Sequence, residues 1–424
     1  MTHLKRRDIV KGLLLAMTAG VGHGCATTKA PSGRVVVIGG GFAGMSCART
    51  LKKLSPTVAV TLVEPKQSYI ACPFSNLVIG NQRDIASQTF SYAGAVADGV
   101  THIRRTAVAI DPGAHKVTLD DGQSVGYDRL VLAPGISLDF DVLPGYDETA
   151  ANKMPHAWQA GAQTALLARQ LAAMDDGGTV VISVPENPYR CPPGPYERAS
   201  LIANYLKSHK PKSKLLILDS KDRFSKQGLF TAAWKSEFGD LIEWQGLKDG
   251  ARVVSVDSKA MTLTTDFDVI KADVANVIPP QRAGEVARLS DIANASGWCP
   301  INAATFESSL HADVHVIGDA AIANAMPKSA FAANTQAKLC ALQIARLLSG
   351  QTPVDSKLIN TCYSLVTPDY GISVAGVYKP EGDRWLEIEG AGGVSPSAAS
   401  RDVRRVEAQY ARQWYRSITQ EVFA

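Results

Sequence analysis

The sequence contains no Cys-x-x-Cys-His run, which excludes a c-type haem attached to this chain through that motif. Close Cys or His pairs with metal-ligand spacing are also missing. His311 and His315 stand four apart, but His315 falls in strand-like sequence, so no helical metal pair is expected. No apolar run reaches the roughly 20 residues that span a bilayer, which argues against a transmembrane segment. Low-complexity tracts and short-period repeats are absent. A basic stripe is absent too: the formal charge of +4 is matched by residues 1–30, where Lys5, Arg6, Arg7, Lys11 and Lys29 outweigh Asp8 (5 − 1 = +4). The remainder is close to neutral, which excludes nucleic acid by its usual electrostatic footprint.

At 424 residues the chain is too long for one ordinary core and suits two or three domains. An apolar fraction of 46% with 20% charged residues is that of a folded protein. Lys5-Arg6-Arg7-Asp8-Ile9-Val10-Lys11 followed by the small and apolar stretch Gly12 to Gly24 reads as a twin-arginine signal over residues 1–30. Such a signal exports proteins already folded, which suits one that first takes up a large cofactor, and implies a periplasmic location. Cys25 could carry a lipid, although Val21-Gly22-His23 fits a lipobox badly. Beyond the leader six cysteines remain, at 47, 72, 191, 299, 340 and 362, and spacing alone leaves their pairing open.

Arg34-Val35-Val36-Val37-Ile38 reads as a buried strand running directly into Gly39-Gly40-Gly41-Phe42-Ala43-Gly44 and a helical pattern. In this G-x-G-x-x-G, Gly39 makes the tight turn, Gly41 lets the backbone approach a pyrophosphate, and Gly44 lets helix pack on strand. A second strand, Val60 to Glu64, ends in an acid suited to the ribose hydroxyls of an adenosine. Strand, fingerprint, helix, strand and acid together point to FAD. Cys72 falls in the following connection, where it either bonds to the flavin ring or fills a small buried space. Ala133-Pro134-Gly135 reads as the crossing to a second domain. Val314 to Gly318-Asp319 is a second flavin signature, with Asp319 available to the ribityl chain, and Ser329 to Leu348 is a helix whose positive end could face the flavin pyrimidine. Cys47 and Cys340 read as packing, whereas Cys299 is ambiguous.

The second α/β unit has its strand Thr179 to Val184 and a helical pattern from Ala199, but its turn is wrong for a nucleotide. Tyr189-Arg190-Cys191-Pro192-Pro193-Gly194-Pro195-Tyr196-Glu197-Arg198 carries three prolines, which remove N–H donors and fix φ. It makes a poor phosphate nest and a stiff platform for a thiol and a carboxylate, which disfavours NAD(P)H and suggests sulfur chemistry. Leu215 to Asp219 keeps the second strand of that unit. After Gly350-Gln351-Thr352-Pro353, alternating segments around Cys362 and Tyr370 to Tyr378 read as strands, and Arg401 to Ala424 is too charged and aromatic-interrupted to argue strongly for a membrane-seeking segment.

With Arg190 to Arg198, Ile278-Pro279-Pro280-Gln281-Arg282-Ala283-Gly284, Gly297-Trp298-Cys299-Pro300 and Asn360-Thr361-Cys362-Tyr363-Ser364 in view, the whole chain resembles the flavoprotein subunits of flavocytochrome c sulfide dehydrogenases, within the sulfide:quinone reductase and disulfide oxidoreductase family. The resemblance implies an α/β fold of two glutathione-reductase-like, Rossmann-type domains and a C-terminal α+β interface domain. Residues 33–149 and 283–349 would bind FAD, 150–282 would form the second Rossmann-like unit without a working NAD turn, and 350–424 the C-terminal domain. It implies that Gly39, Gly41, Gly44, Glu64, Gly318 and Asp319 bind FAD, that Cys72 holds it through a thioether, and that Cys191 and Cys362 form a redox disulfide with Glu197 as proton acceptor. Pro73 follows Cys72 where other members may carry an aromatic residue. The implied activity is oxidation of hydrosulfide to sulfur or polysulfide, with electrons passed to a c-type cytochrome subunit that carries the haem. A membrane-associated sulfide:quinone reductase and a non-catalytic FAD-binding scaffold are the alternatives.

Overall fold

The computed structural model describes residues 32–424, so the twin-arginine leader and Cys25 lie outside the described residues. Arg34–Ile38 pairs in parallel with Ala59–Val63 on one side and Arg129–Leu132 on the other. Thr101–Ile103 and, from far along the chain, Val314–Val316 extend the sheet to five parallel strands. The near-continuous β-branched and aliphatic runs follow from burial on both faces. Helices Phe42–Leu54 and Ala330–Leu348 pack against one another, which is why Cys47 and Cys340 are fully buried.

A second parallel sheet runs in the order Ile242–Gln245, Lys214–Asp219, Thr179–Val184, Val274–Val277. The helix after its central strand is Gly194–His209, beginning five residues before the helical pattern expected from Ala199. Proline is compatible with a first helical turn because the N–H it lacks has no intrahelical acceptor there, so Pro195 starts the helix rather than delaying it. Glu197 therefore stands on the first turn of a helix and not on a loop.

The third layer is antiparallel: Leu358–Thr367, Tyr370–Glu381 and Arg384–Glu387, with Gly393–Val394 pairing the central strand. The charged tail is one continuous helix, Arg401–Phe423, capped by the Ser400 hydroxyl, which accepts from the Val403 N–H. Its buried residues include Arg404, Ala408, Ala411, Tyr415, Ile418 and Val422, a three-to-four spacing that lays one stripe on the protein and leaves most of the other charges outside. Gly371 permits this contact, since a Cβ there would stand 2.4 Å from the Ala408 backbone nitrogen. The helix closes over the first domain: Tyr415 donates to Gln88 Oε1 at 2.9 Å, and Phe423 stacks on Tyr69 and Phe90.

Candidate functional site

The first glycine turn is built to bring backbone together. Gly39 has φ +101°, and a Cβ on it would lie 2.2 Å from the Ala133 carbonyl oxygen; a Cβ on Gly44 would lie 1.9 Å from the Gly39 oxygen. Gly41 tolerates a Cβ, with Tyr69 at 3.5 Å as its nearest neighbour, so its place in the pattern is set by what the turn faces. Glu64 accepts from the Gly40 N–H at 2.8 Å and from the Lys66 N–H at 3.0 Å, which fixes the acid at the mouth of the turn. Gly318 opens the short turn that carries Asp319, and its N–H donates to Gln336 Oε1 at 2.9 Å. Asp319 Oδ1 is buried without a hydrogen-bond partner, as is the Tyr92 hydroxyl, whose side chain lies against Gly40. Buried polar atoms seldom stay unpaired. A glycine turn with no room for side chains at 39 and 44, a carboxylate beside it and a buried acid with one unpartnered oxygen fit a dinucleotide with a polyhydroxyl chain. Burial pushes the Asp319 carboxyl up, opposed by Arg190 and Lys328. Cys72 is half-buried and is an electrostatic neighbour of Tyr69 and Arg190, the same groups that neighbour Asp319.

The sulfur site lies where the second Rossmann-type unit meets the C-terminal sheet. Cys191 sits at φ +58°, a left-handed conformation that is uncommon outside glycine and concentrates at functional sites. It is held there by its N–H, which donates to the Lys328 carbonyl at 2.8 Å, and by the Gly194 N–H, which donates to the Cys191 carbonyl at 2.8 Å. Burial pushes its thiol far above the ordinary range, and Cys362 and Glu197 push it further. Cys362 comes from the strand Leu358–Thr367 and accepts from Asn360 Nδ2 at 3.3 Å. Both cysteines stand as free thiols, so the expected disulfide is not formed in this structure. Cys362 also lines a cavity of 160 Å³ together with Pro192, Pro193, Asn360, Tyr378 and Glu387. A larger cavity of 530 Å³, beside His156 and Arg282, touches neither cysteine.

Glu197 is clamped from two sides, accepting from Asn76 Nδ2 at 2.9 Å and from the Leu365 N–H at 2.9 Å. Burial pushes its carboxyl up; those hydrogen bonds, Lys226 and Arg198 pull it back. Arg198, 2% exposed, anchors the clamp by donating to Asn76 Oδ1, Asn276 Oδ1 and the carbonyls of His156 and Ala157, with its guanidinium 5.0 Å from the Trp158 ring centre.

The nucleotide position of the second unit is filled. Asp219, fully buried, would be the ribose acid; instead it accepts from the Tyr196 hydroxyl at 2.6 Å, Trp244 Nε1 at 3.0 Å and Lys221 Nζ at 2.6 Å. Phe224 stacks on Tyr196 at 3.6 Å. The proline-rich turn is thus one half of the obstruction, and the other is an aromatic plug made by Tyr196 of the following helix, Phe224 of the loop after Asp219, and Trp244 of the edge strand.

Three family models match: "Sulfide dehydrogenase [flavocytochrome c] flavoprotein chain, central" over residues 164–279, "Flavocytochrome c sulphide dehydrogenase, flavin-binding" over 354–423, and "Pyridine nucleotide-disulphide oxidoreductase" over 33–173. The sulfide dehydrogenase flavoprotein chain of Chlorobaculum thiosulfatiphilum is 62% identical over 45 residues, which cover 94% of that sequence and 11% of this chain. The chain belongs to the sulfide dehydrogenase flavoprotein family. This flavoprotein is also 23% identical to the mitochondrial sulfide:quinone oxidoreductase of Mus musculus over 310 residues, 70% of this chain and 67% of that protein. The sulfide:quinone oxidoreductase of Aquifex aeolicus superposes with a TM-score of 0.69 at 18% identity, covering 92% of each chain. The α/β fold of two Rossmann-type units is therefore that of the pyridine nucleotide-disulfide oxidoreductases.

The structure groups Gly39, Gly41, Gly44, Glu64, Gly318 and Asp319 around the first sheet, sets Cys72 near them, and brings Cys191, Cys362 and Glu197 together at the next layer. Three side chains of this flavoprotein's site had no signal in the sequence. Lys226 follows a polar turn and looks like a solvated lysine, yet it is buried, donating to the Cys362 carbonyl at 2.9 Å and Ser364 Oγ at 2.8 Å. Lys328 donates to the carbonyls of Asp319 and Ala321 and lies 3.8 Å from the Trp298 ring centre. Asn76 carries the contact from Arg198 to Glu197. Asn360, two residues before Cys362 on the same strand, supplies the donor to its sulfur.

Proposed function

We propose that this flavoprotein oxidises hydrosulfide to sulfur or polysulfide through a Cys191–Cys362 disulfide and passes the electrons to a c-type cytochrome subunit that carries the haem. The observation that carries the reading is that Cys362 shares a cavity with Pro192 and Pro193, the residues that follow the sequence-distant Cys191, with a buried carboxylate, Glu197, on the adjoining helix turn bonded to the Leu365 N–H of the Cys362 strand. FAD is the cofactor; Gly39, Gly41, Gly44, Glu64, Gly318 and Asp319 would hold it, and Cys72 would tether it through a thioether. When bound, it supplies a two-electron acceptor that can return electrons one at a time to haem and regenerate the disulfide.

The chain's own part is thiol exchange. Hydrosulfide forms a bond to one sulfur of the pair while the S–S bond breaks, its electrons leaving on the other cysteine as thiolate; exchange of this kind favours a leaving thiol of low pKa. Glu197, whose carboxyl is pushed up by burial, accepts the proton of the incoming sulfide. A second hydrosulfide removes the sulfane sulfur. A cavity lined by Cys362 and by Pro192 and Pro193, the residues that follow Cys191, opens beside the pair. Export by the twin-arginine leader would place this chemistry in the periplasm. Replacing Cys191 or Cys362 by Ser separates catalysis from a scaffold role: sulfide-dependent bleaching of the flavin should vanish in both variants, and bleaching that survives in either refutes the dithiol route.

A further inference from the structure

The two cysteines occupy unequal electrostatic positions. Cys191 is half-buried; desolvation, Cys362 and Glu197 act against a negative sulfur there, while Arg190 and Lys226 favour it. Cys362 has a direct donor, Asn360 Nδ2 at 3.3 Å, and its carbonyl receives Lys226 Nζ at 2.9 Å. Two of the three ammonium hydrogens of Lys226 are taken by that carbonyl and Ser364 Oγ, leaving a third in a site shared with both sulfurs. Lys226 is itself held at φ +61°, left-handed like Cys191, at the start of the helix Gln227–Phe238. A buried lysine in an uncommon backbone conformation, with its ammonium bonded to the Cys362 carbonyl and Ser364 Oγ, sets a positive charge on the strand that carries Cys362.

We propose that Lys226 is a positioning residue that, together with Asn360, makes Cys362 the leaving thiolate and so leaves the persulfide on Cys191. This rests on the sulfide reading above. The step balances: the hydrosulfide sulfur bonds to Cys191 Sγ, the S–S bond breaks, and its electron pair and the negative charge pass to Cys362 Sγ, where the ammonium and the Asn360 amide offset them. Burial pushes Lys226 down to about 8, opposed by Cys362, Glu197, Cys191 and Glu407, so the group is protonated at neutral pH. The other charged and titratable groups around the pair are Tyr189 and Arg190 from the proline-rich turn, Glu197 and Arg198 from the helix Gly194–His209, Glu407 from the final helix, and Tyr378 and Glu387 from the neighbouring strands.

The test uses the purified holoprotein reduced with dithiothreitol, alkylated with iodoacetamide across a pH series, and mapped by mass spectrometry. Lys226→Met should raise the alkylation midpoint of Cys362 by about one pH unit, a tenfold slowing below it, with a smaller change at Cys191. Lys226→Arg should restore most of the shift. Asn360→Ala, which leaves the lysine in place, should move Cys362 in the same direction and serves if the lysine variants unfold. An unmoved Cys362 midpoint in folded Lys226→Met or Asn360→Ala, or an equal shift in the Arg and Met variants, overturns the proposal. Alkylation does not depend on sulfide: a protein inert to sulfide but showing the predicted shifts overturns the sulfide reading alone, and the converse result overturns only the role of Lys226.

Discussion

Arg198→Met is the perturbation that most directly tests how the carboxylate is held. Methionine keeps the length and apolar stem but removes four hydrogen bonds, to Asn76, Asn276, His156 and Ala157. The His156 carbonyl keeps Asn276 Nδ2 as a donor at 2.8 Å, so three acceptors lose the partner named here. Summing about 1–3 kcal/mol for each would overstate the loss, because a neutral, well-packed side chain also ends the desolvation of a buried charge. Breaking a buried charged network at one partner costs about 3–5 kcal/mol, and that is the expected fall in unfolding free energy. Asn76 would lose its anchor, and removal of the nearby positive charge would raise the Glu197 carboxyl further, because Arg198 is one of the groups that pull it down. Urea unfolding measures the first effect and the acid limb of the sulfide-oxidation pH profile the second, which should move to higher pH. Arg198→Lys should recover part of the pH effect and little of the stability. A loss below about 1 kcal/mol with an unmoved pH profile would refute the idea that this network positions Glu197.

Gly44→Ala forces a Cβ to within 1.9 Å of the Gly39 carbonyl oxygen, so the turn must open and the purified variant should carry a severalfold lower flavin-to-protein ratio in its visible spectrum. NADH should fail to bleach the flavin, because Asp219 is already taken by Tyr196, Trp244 and Lys221; rapid reduction by NADH would contradict the plug. His156 is pushed down to about 4 by burial, with Arg198 and Arg190 adding to the shift. The unfolded imidazole takes up its proton near pH 6.5, so between there and pH 4 the unfolded state binds more protons and stability falls with pH. The loss at pH 4 is about 3 kcal/mol, readable as a falling urea midpoint that His156→Gln should flatten.

Much of the fold was legible because its strands are buried on both faces and write themselves as aliphatic runs, as at Val35 to Ile38 and Leu215 to Leu218. The glycine turn was legible for a related reason: only glycine fits at 39 and 44, whatever the rest of the chain does. The final helix was not, since its stripe of Ala408, Ala411, Tyr415 and Ile418 is thin and most of its surface is charge, so the signal depends on what covers it. The start of the helix at Gly194 was hidden by prolines, which break helices everywhere except in the first turn. Site residues inside a motif, such as Cys191 and Glu197, could be picked out by type. Lys226, Lys328 and Asn76 could not, because a polar residue in a polar turn looks alike whether water or a pair of thiols lies beyond it.

Sulfide oxidation by this route requires a bond between the two sulfurs in the oxidised protein. Non-reducing proteolysis and mass mapping of the protein as isolated in air should recover one linked peptide pair containing Cys191 and Cys362, released by dithiothreitol. Recovery of both residues as alkylatable thiols in the oxidised protein, or of either one joined to a different cysteine, would contradict it.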